Sequence, residues 1–274
     1  MTFKELGLRV EVLQSIEAMG FAEPTPIQQS AIPHLLQLES DFVGLAQTGT
    51  GKTAAFGLPL IHKVTDRPTE TQGLVIAPTR ELCLQISKDL EAFAQFDRQI
   101  KVVAVYGGTD IRKQMSDIKR GATIVVATPG RLVDLINRKA INLKTVETVV
   151  LDEADEMLSM GFKKELDEIL GFLHSVENKW LFSATIPAGI KDIINKHMSK
   201  DAHRVVVNPK NVVNTKITHQ FLICDDKDKL MVLLQFLKAE HKNRGIVFCR
   251  TKIETQEIAE SLVKDGYNAD ALHG

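Results

Sequence analysis

Short apolar runs recur through the first two hundred residues, at Phe42–Ala46, Gly73–Ala77, Lys101–Tyr106, Thr123–Ala127, Thr148–Leu151, Trp180–Phe182 and Arg204–Val207. Longer amphipathic stretches separate them. In Glu81–Phe93, for example, Leu82, Ile86, Leu90 and Phe93 fall near i, i+4, i+8 and i+11, the stripe of a helix with one buried face. Runs that are apolar throughout, rather than alternating, suit strands covered on both sides. The pattern predicts an α/β fold, a parallel sheet with helices on both faces.

After Val207 the periodicity lapses into a stretch with three Asn and a Pro over residues 208–216, which reads as a linker. Strand-like runs then resume at Ile217–Cys224, Gly245–Cys249 and Ala269–Leu272, alternating with helix-like Lys227–Ala239 and Glu254–Lys264. The expected organisation is a first domain over 1–208, a linker over 209–216 and a second domain over 217–274. Gly274 follows an apolar run with no closing helix, so the second domain is expected to be incomplete.

Composition changes this picture little. The 274 residues are 44% hydrophobic and 25% charged, as in ordinary globular chains. With 34 Lys plus Arg against 35 Asp plus Glu, bulk charge does not drive binding to an anionic polymer, so nucleic-acid contact must come from local geometry. No stretch is apolar over the ~18 residues of a membrane span, and the polar start Met1–Glu5 lacks a signal-peptide core. A cytoplasmic protein is expected. Cys83, Cys224 and Cys249 form no CxxC pair, and the eight His are scattered, so no protein-held metal cage is expected.

Local chemistry is concentrated after the strands. Ala46-Gln47-Thr48-Gly49-Thr50-Gly51-Lys52-Thr53 lies between a strand and a helix and fits the P-loop pattern, with Ala46 where the strict form has Gly. Gly49 and Gly51 let the backbone curl so that N–H groups face a phosphate, and the helix start adds its positive dipole end. Lys52 supplies a charge for the β- and γ-phosphates, and Thr53 a hydroxyl for Mg²⁺.

A P-loop needs a carboxylate for Mg²⁺. The segment 152–156 offers four carboxylates in five positions, directly after Val149-Val150-Leu151. Asp152, at the strand tip, is assigned to the Mg²⁺ shell, partly through water. Glu153 is assigned to the attacking water. Acids also favour helix N-termini for their dipole, which suffices for Glu156. Upstream, Thr25-Pro26-Ile27-Gln28 is a capping-box pattern with Pro at the first helical position. Gln28 could equally present its amide to the N6 and N7 edge of adenine.

Together these segments resemble the DEAD-box RNA helicases of superfamily 2, of bacterial type, for which Asp152-Glu153-Ala154-Asp155 is the naming tetrapeptide. The resemblance covers the whole chain in order: the isolated Phe3, Gly20–Gln28, the P-loop, Ala77-Pro78-Thr79-Arg80-Glu81-Leu82, Gly107-Gly108, Thr128-Pro129-Gly130-Arg131, the tetrapeptide, Ser183-Ala184-Thr185 and Ile246-Val247-Phe248-Cys249-Arg250. It implies two RecA-like domains, with ATP and Mg²⁺ as ligands. It also implies adenine recognition by Gln28 with Thr25, and Phe3 or Phe21 packed near the base. RNA is expected to be gripped by its backbone, without sequence preference, at Pro78, Thr79, Arg80, Gly107, Gly108, Thr128, Pro129, Gly130 and Arg131. Asp155, bonded to the hydroxyls of Ser183 and Thr185, would couple the nucleotide site to strand separation.

The implied activity is ATP-driven closure of the two domains on single-stranded RNA by a monomer, separating short duplexes or remodelling RNA–protein complexes. The family's second-domain arginines that reach the γ-phosphate do not occur among these residues, so the chain as given is expected to be inactive or weakly active. A nucleotide-binding module without turnover and a DNA translocase of the same superfamily are the alternative readings.

Overall fold

The seven runs form one sheet in which the five inner strands bury both faces and the two edge strands are partly exposed. In the computed structural model they are strands β1 (Phe42–Leu45), β2 (Gly73–Ile76), β3 (Val102–Val105), β4 (Ile124–Ala127), β5 (Thr148–Leu151), β6 (Asn178–Ser183) and β7 (His203–Val206). The helices are α1 (Val10–Ala18), α2 (Pro26–Gln37), α3 (Lys52–Lys63), α4 (Arg80–Phe93), α5 (Ile111–Lys119), α6 (Pro129–Asn137), α7 (Ala154–Ser159), α8 (Lys163–Phe172), α9 (Ala188–His197), α10 (Lys229–Ala239) and α11 (Lys252–Lys264). The structure describes residues 1–37, 41–65, 67, 69–173, 176–207, 218, 220–239 and 244–273.

The strands run in the order β3-β4-β2-β5-β6-β1-β7, and every pairing is parallel. Side chains alternate between the two faces. Phe42, Val75, Val150, Trp180 and Phe182 pack with α1 to α4, while Val43, Leu74, Ile76, Val149, Leu151 and Leu181 pack with residues of α5 to α9. This two-sided burial is what the unbroken apolar runs require.

Register places the chemistry. Leu45 pairs with Ser183, and Ile76 with both Leu151 and Ala127, while Val105 also pairs with Ala127. The strands therefore end together, and the segments that follow β1 to β6 all open along one carboxyl edge. At the opposite, amino edge, the connection over 138–147 between α6 and β5 carries the exposed Lys139 and Lys144.

The chain divides into two units, Met1–Val212 and Val213–Gly274. The second contains α10 and α11, the latter capped by the Thr251 hydroxyl, which accepts from the Glu254 N–H at 3.1 Å. Its expected strands differ from the prediction. The described parts of 217–224, 245–249 and 269–272 belong to no strand, with Ile223, Phe248 and Leu272 more than 90% exposed. Apolar extended sequence becomes a strand only against a neighbour, and none of these segments lies in a ladder. The expected linker over 209–216 lies outside the described residues.

Candidate active site

The loop after β1 reaches α3 through Gly49 and Gly51, whose φ angles of 77° and 90° lie in the left-handed region where a side chain would strain the backbone. Gln47, Thr48 and Gly49 are exposed, Ala46 is buried, and the Thr50 hydroxyl donates to the Gln47 carbonyl at 2.7 Å. Lys52, the first residue of α3, is only 6% exposed, yet its Nζ has no hydrogen-bond partner. Thr53 beside it is half-buried.

Asp152 follows β5 directly and is 3% exposed, accepting the Glu153 N–H at 3.0 Å. Burial pushes its carboxyl up to about 6; the Lys52 charge pulls the other way, and Glu153 adds to the rise. Glu153 has φ 50° and ψ 49°, a left-handed conformation at a non-glycine position, which costs roughly 1–2 kcal/mol. The kink turns the chain from β5 into α7 and leaves the Glu153 side chain on the wall of a cleft of about 550 Å³, along with Thr48, Lys52, Thr79, Asp155 and Thr185.

Asp155 is tied across this cleft. One carboxyl oxygen accepts both the Thr185 N–H at 2.9 Å and the Thr185 hydroxyl at 2.7 Å. The Ser183 hydroxyl accepts the Asp155 N–H at 3.3 Å and donates to the Thr185 carbonyl at 2.8 Å. Burial works to raise the Asp155 carboxyl, but the hydroxyls of Thr185 and Ser183 and the neighbouring N–H groups outweigh it and hold it below its ordinary value.

Upstream, Gln28 makes the reverse half of the cap and also reaches the P-loop. Its Oε1 accepts the Thr25 N–H at 2.9 Å, closing the cap, while its Nε2 donates to the Gly51 carbonyl at 3.1 Å. The forward half of the box is not made, since the buried Thr25 hydroxyl has no partner. Phe3 is 5% exposed within the core, and Phe21, 36% exposed, rests on Phe3 and Phe93 with ring centroids 6.2 and 6.4 Å away.

The remaining expected residues gather further along the carboxyl edge. Pro78 is buried, and the Thr79 hydroxyl caps α4 by accepting the Leu82 N–H at 3.2 Å. The Arg80 guanidinium lies over the Tyr106 ring at 5.1 Å. Gly107, Gly108 and Gly130 have no protein atom within 4 Å of where a Cβ would sit. Thr128 precedes α6, with Pro129 at its first turn. Arg131 donates to Gln114 Oε1 at 2.7 Å and to the Thr109 carbonyl at 3.0 Å. Sequence reasoning missed Tyr106, Thr109 and Gln114. For Gln114 a signal existed, because it interrupts the apolar face of α5 marked by Ile111, Met115 and Ile118.

The donor set suits magnesium. Asp152 and Thr53 offer hard oxygen donors, and no group of three or more His, Cys, Asp or Glu able to hold a metal occurs among the described residues. Such a set fits an ion that keeps much of its water and shares substrate phosphate oxygens.

Residues 25–193 match the family model described as DEAD/DEAH box helicase. The chain belongs to the DEAD/DEAH box helicase family. Among relatives of this DEAD-box chain, the DEAD-box ATP-dependent RNA helicase CshA of Bacillus cereus (strain ATCC 10987) is 46% identical over 273 residues, covering 100% of this chain and 51% of that protein. CshA of Bacillus subtilis (strain 168) is 44% identical over 274 residues, covering 100% of this chain and 55% of the relative. The chain thus spans about half the length of these relatives. The crystal structure of a DEAD box protein from the hyperthermophile Methanococcus jannaschii superposes with a TM-score of 0.72 at 37% identity, covering 100% of this chain and 73% of that one.

Proposed function

We propose that this DEAD-box chain is the nucleotide-gripping and RNA-gripping part of an ATP-dependent RNA helicase. The observation that carries the reading is the buried, unpartnered ammonium of Lys52 in the cleft that also holds Glu153 and the Asp155–Thr185 bridge. The Asp152 carboxylate offsets part of its charge, and a β- or γ-phosphate would accept the hydrogen bonds its N–H groups lack.

In this reading Gly49 and Gly51 curl the loop around the phosphates, and Gln28, already fixed to Gly51, carries the adenine contact into that loop. Phe21 offers its open side to the base with Phe3 behind it. Asp152 and Thr53 hold magnesium, which when bound offsets charge on the phosphoryl oxygens. Glu153 orients the attacking water and receives its proton. Backbone N–H groups near Gly107, Gly108 and Gly130, with Arg80 and Arg131, bind RNA phosphates without reading bases; contacts to 2′-hydroxyls favour RNA over DNA. We further infer a cytoplasmic monomer whose first RecA-like domain (1–208) and second (from 217) close on ATP and RNA, bend one strand and reopen after hydrolysis.

Phosphate release from the full-length protein is expected to rise with RNA and to be abolished by Glu153→Gln; release unchanged by that substitution would refute the assignment. Turnover is expected to be slow in the 274-residue chain, because an arginine reaching the γ-phosphate is typically worth ~10³–10⁵ in rate. A chain extended through the rest of the second domain should recover it. A nucleotide-binding module without turnover would instead bind ATP and release no phosphate in either form.

A further inference from the structure

Gln114 is 6% exposed and lies on the otherwise apolar face of α5, where Leu or Met would cost nothing in desolvation. Its amide is fully engaged. Nε2 donates to the Tyr106 carbonyl at 3.1 Å and to the Thr109 hydroxyl at 2.8 Å, and Oε1 accepts from Arg131 at 2.7 Å. Arg131 is held a second time by the Thr109 carbonyl, and Arg80 stacks on Tyr106. One buried amide therefore joins the loop 106–109, with its two glycines, to the start of α6 with Arg131, and the Tyr106 ring extends the link to Arg80. Two guanidinium nitrogens of Arg131 are occupied inward, which fixes the plane of the group while leaving N–H donors for an outside acceptor.

We propose that Gln114 is a positioning residue for RNA: it sets the glycine loop and Arg131 in one geometry, so that successive phosphates meet donors already in place. This rests on the RNA-backbone reading above. Preorganised donors bind more tightly than the same donors on a free loop, because ordering is not charged to the binding step.

The test compares wild type, Gln114→Leu, Arg131→Ala and the double variant of the full-length protein. Affinity for a labelled oligouridylate is measured with a non-hydrolysable ATP analogue present, alongside affinity for a fluorescent ATP analogue and RNA-stimulated ATP turnover. Gln114→Leu is expected to weaken RNA binding about tenfold, and to raise the RNA concentration for half-maximal turnover by the same factor. Nucleotide affinity and maximal turnover should hold. In the Arg131→Ala background the added loss should shrink without vanishing, since the share carried through Arg131 is gone while the hold on the glycine loop remains. RNA binding within twofold of wild type, or fully additive losses, would overturn the proposal while leaving the RNA reading intact if Arg131→Ala is impaired. Wild-type protein that does not bind RNA would refute both. If Gln114→Leu does not fold, Gln114→Met, which keeps an unbranched side chain of similar length, is read by the same criteria.

Discussion

Gly51 shows how much one missing atom can matter. A Cβ there would come within 2.5 Å of Gln28 Nε2 and 3.1 Å of the Thr25 hydroxyl, and the backbone has φ 90°. Gly51→Ala is expected to destabilise the fold by about 1 kcal/mol or more and to weaken nucleotide binding at least tenfold, read by calorimetric titration of an ATP analogue. Gly130 is the opposite case. It sits in the first turn of α6 with open space above it, so Gly130→Ala should stabilise the helix by up to about 0.5–1 kcal/mol while weakening RNA binding. Greater stability with unchanged RNA affinity would remove Gly130 from the RNA surface. At this scale the placement of the P-loop segment and the four acids, each directly after a strand, was legible in the sequence because an apolar run ends just before them. The left-handed turn at Glu153 was not, since a glutamate gives no local sign of φ 50°. Nor was Gln114, whose role depends on partners 8 and 17 residues away that only the sheet brings together.

Among the elements, the first-unit strands were readable because a run apolar on both faces has few other homes. Those of the second unit were misread because apolar sequence names a wish for a neighbour, not the neighbour itself. Helix starts bear two demands at once. Thr79 caps α4, so Thr79→Ala should cost about 1 kcal/mol in chemical unfolding, whereas Thr79→Ser should keep the cap. Another joint is made where the entry to α1 meets the end of α3. The Arg9 N–H donates to His62 Nδ1 at 3.0 Å, and the Arg9 side chain holds the Ile61 carbonyl at 2.9 Å and Asp97 at 2.6 Å. Burial lowers the His62 pKa, with the Arg9 and Lys63 charges adding to it against the opposing Glu11. The unfolded chain therefore takes up this proton before the folded one does. Stability is complete above the ordinary histidine value of about 6.5 and falls as pH drops below it. Unfolding midpoints at about pH 7.5 and 5.5 should differ more for wild type than for His62→Gln, which keeps an acceptor without titrating.

For the molecule as a whole, both hydrophobic clusters lie within Met1–Val212. Residues 1–212 alone are expected to unfold at nearly the midpoint of the longer chain and to bind an ATP analogue with the same affinity, as calorimetry would show. A large drop in midpoint would mean that the second unit completes the first. The α/β architecture was legible from alternation alone, and the order of the chemical segments from their motifs. Which strands would be neighbours was not, because the order β3-β4-β2-β5-β6-β1-β7 is set by crossovers that leave no mark in local pattern. Parallel strands also give the molecule a front and a back. Lys139 and Lys144 stand exposed behind the sheet, at the opposite edge from the strand ends that open on the cleft. A dye or surface tether fixed there would ride on the same rigid frame without crowding the front, giving a fixed vantage from which to watch single RNA molecules arrive and leave.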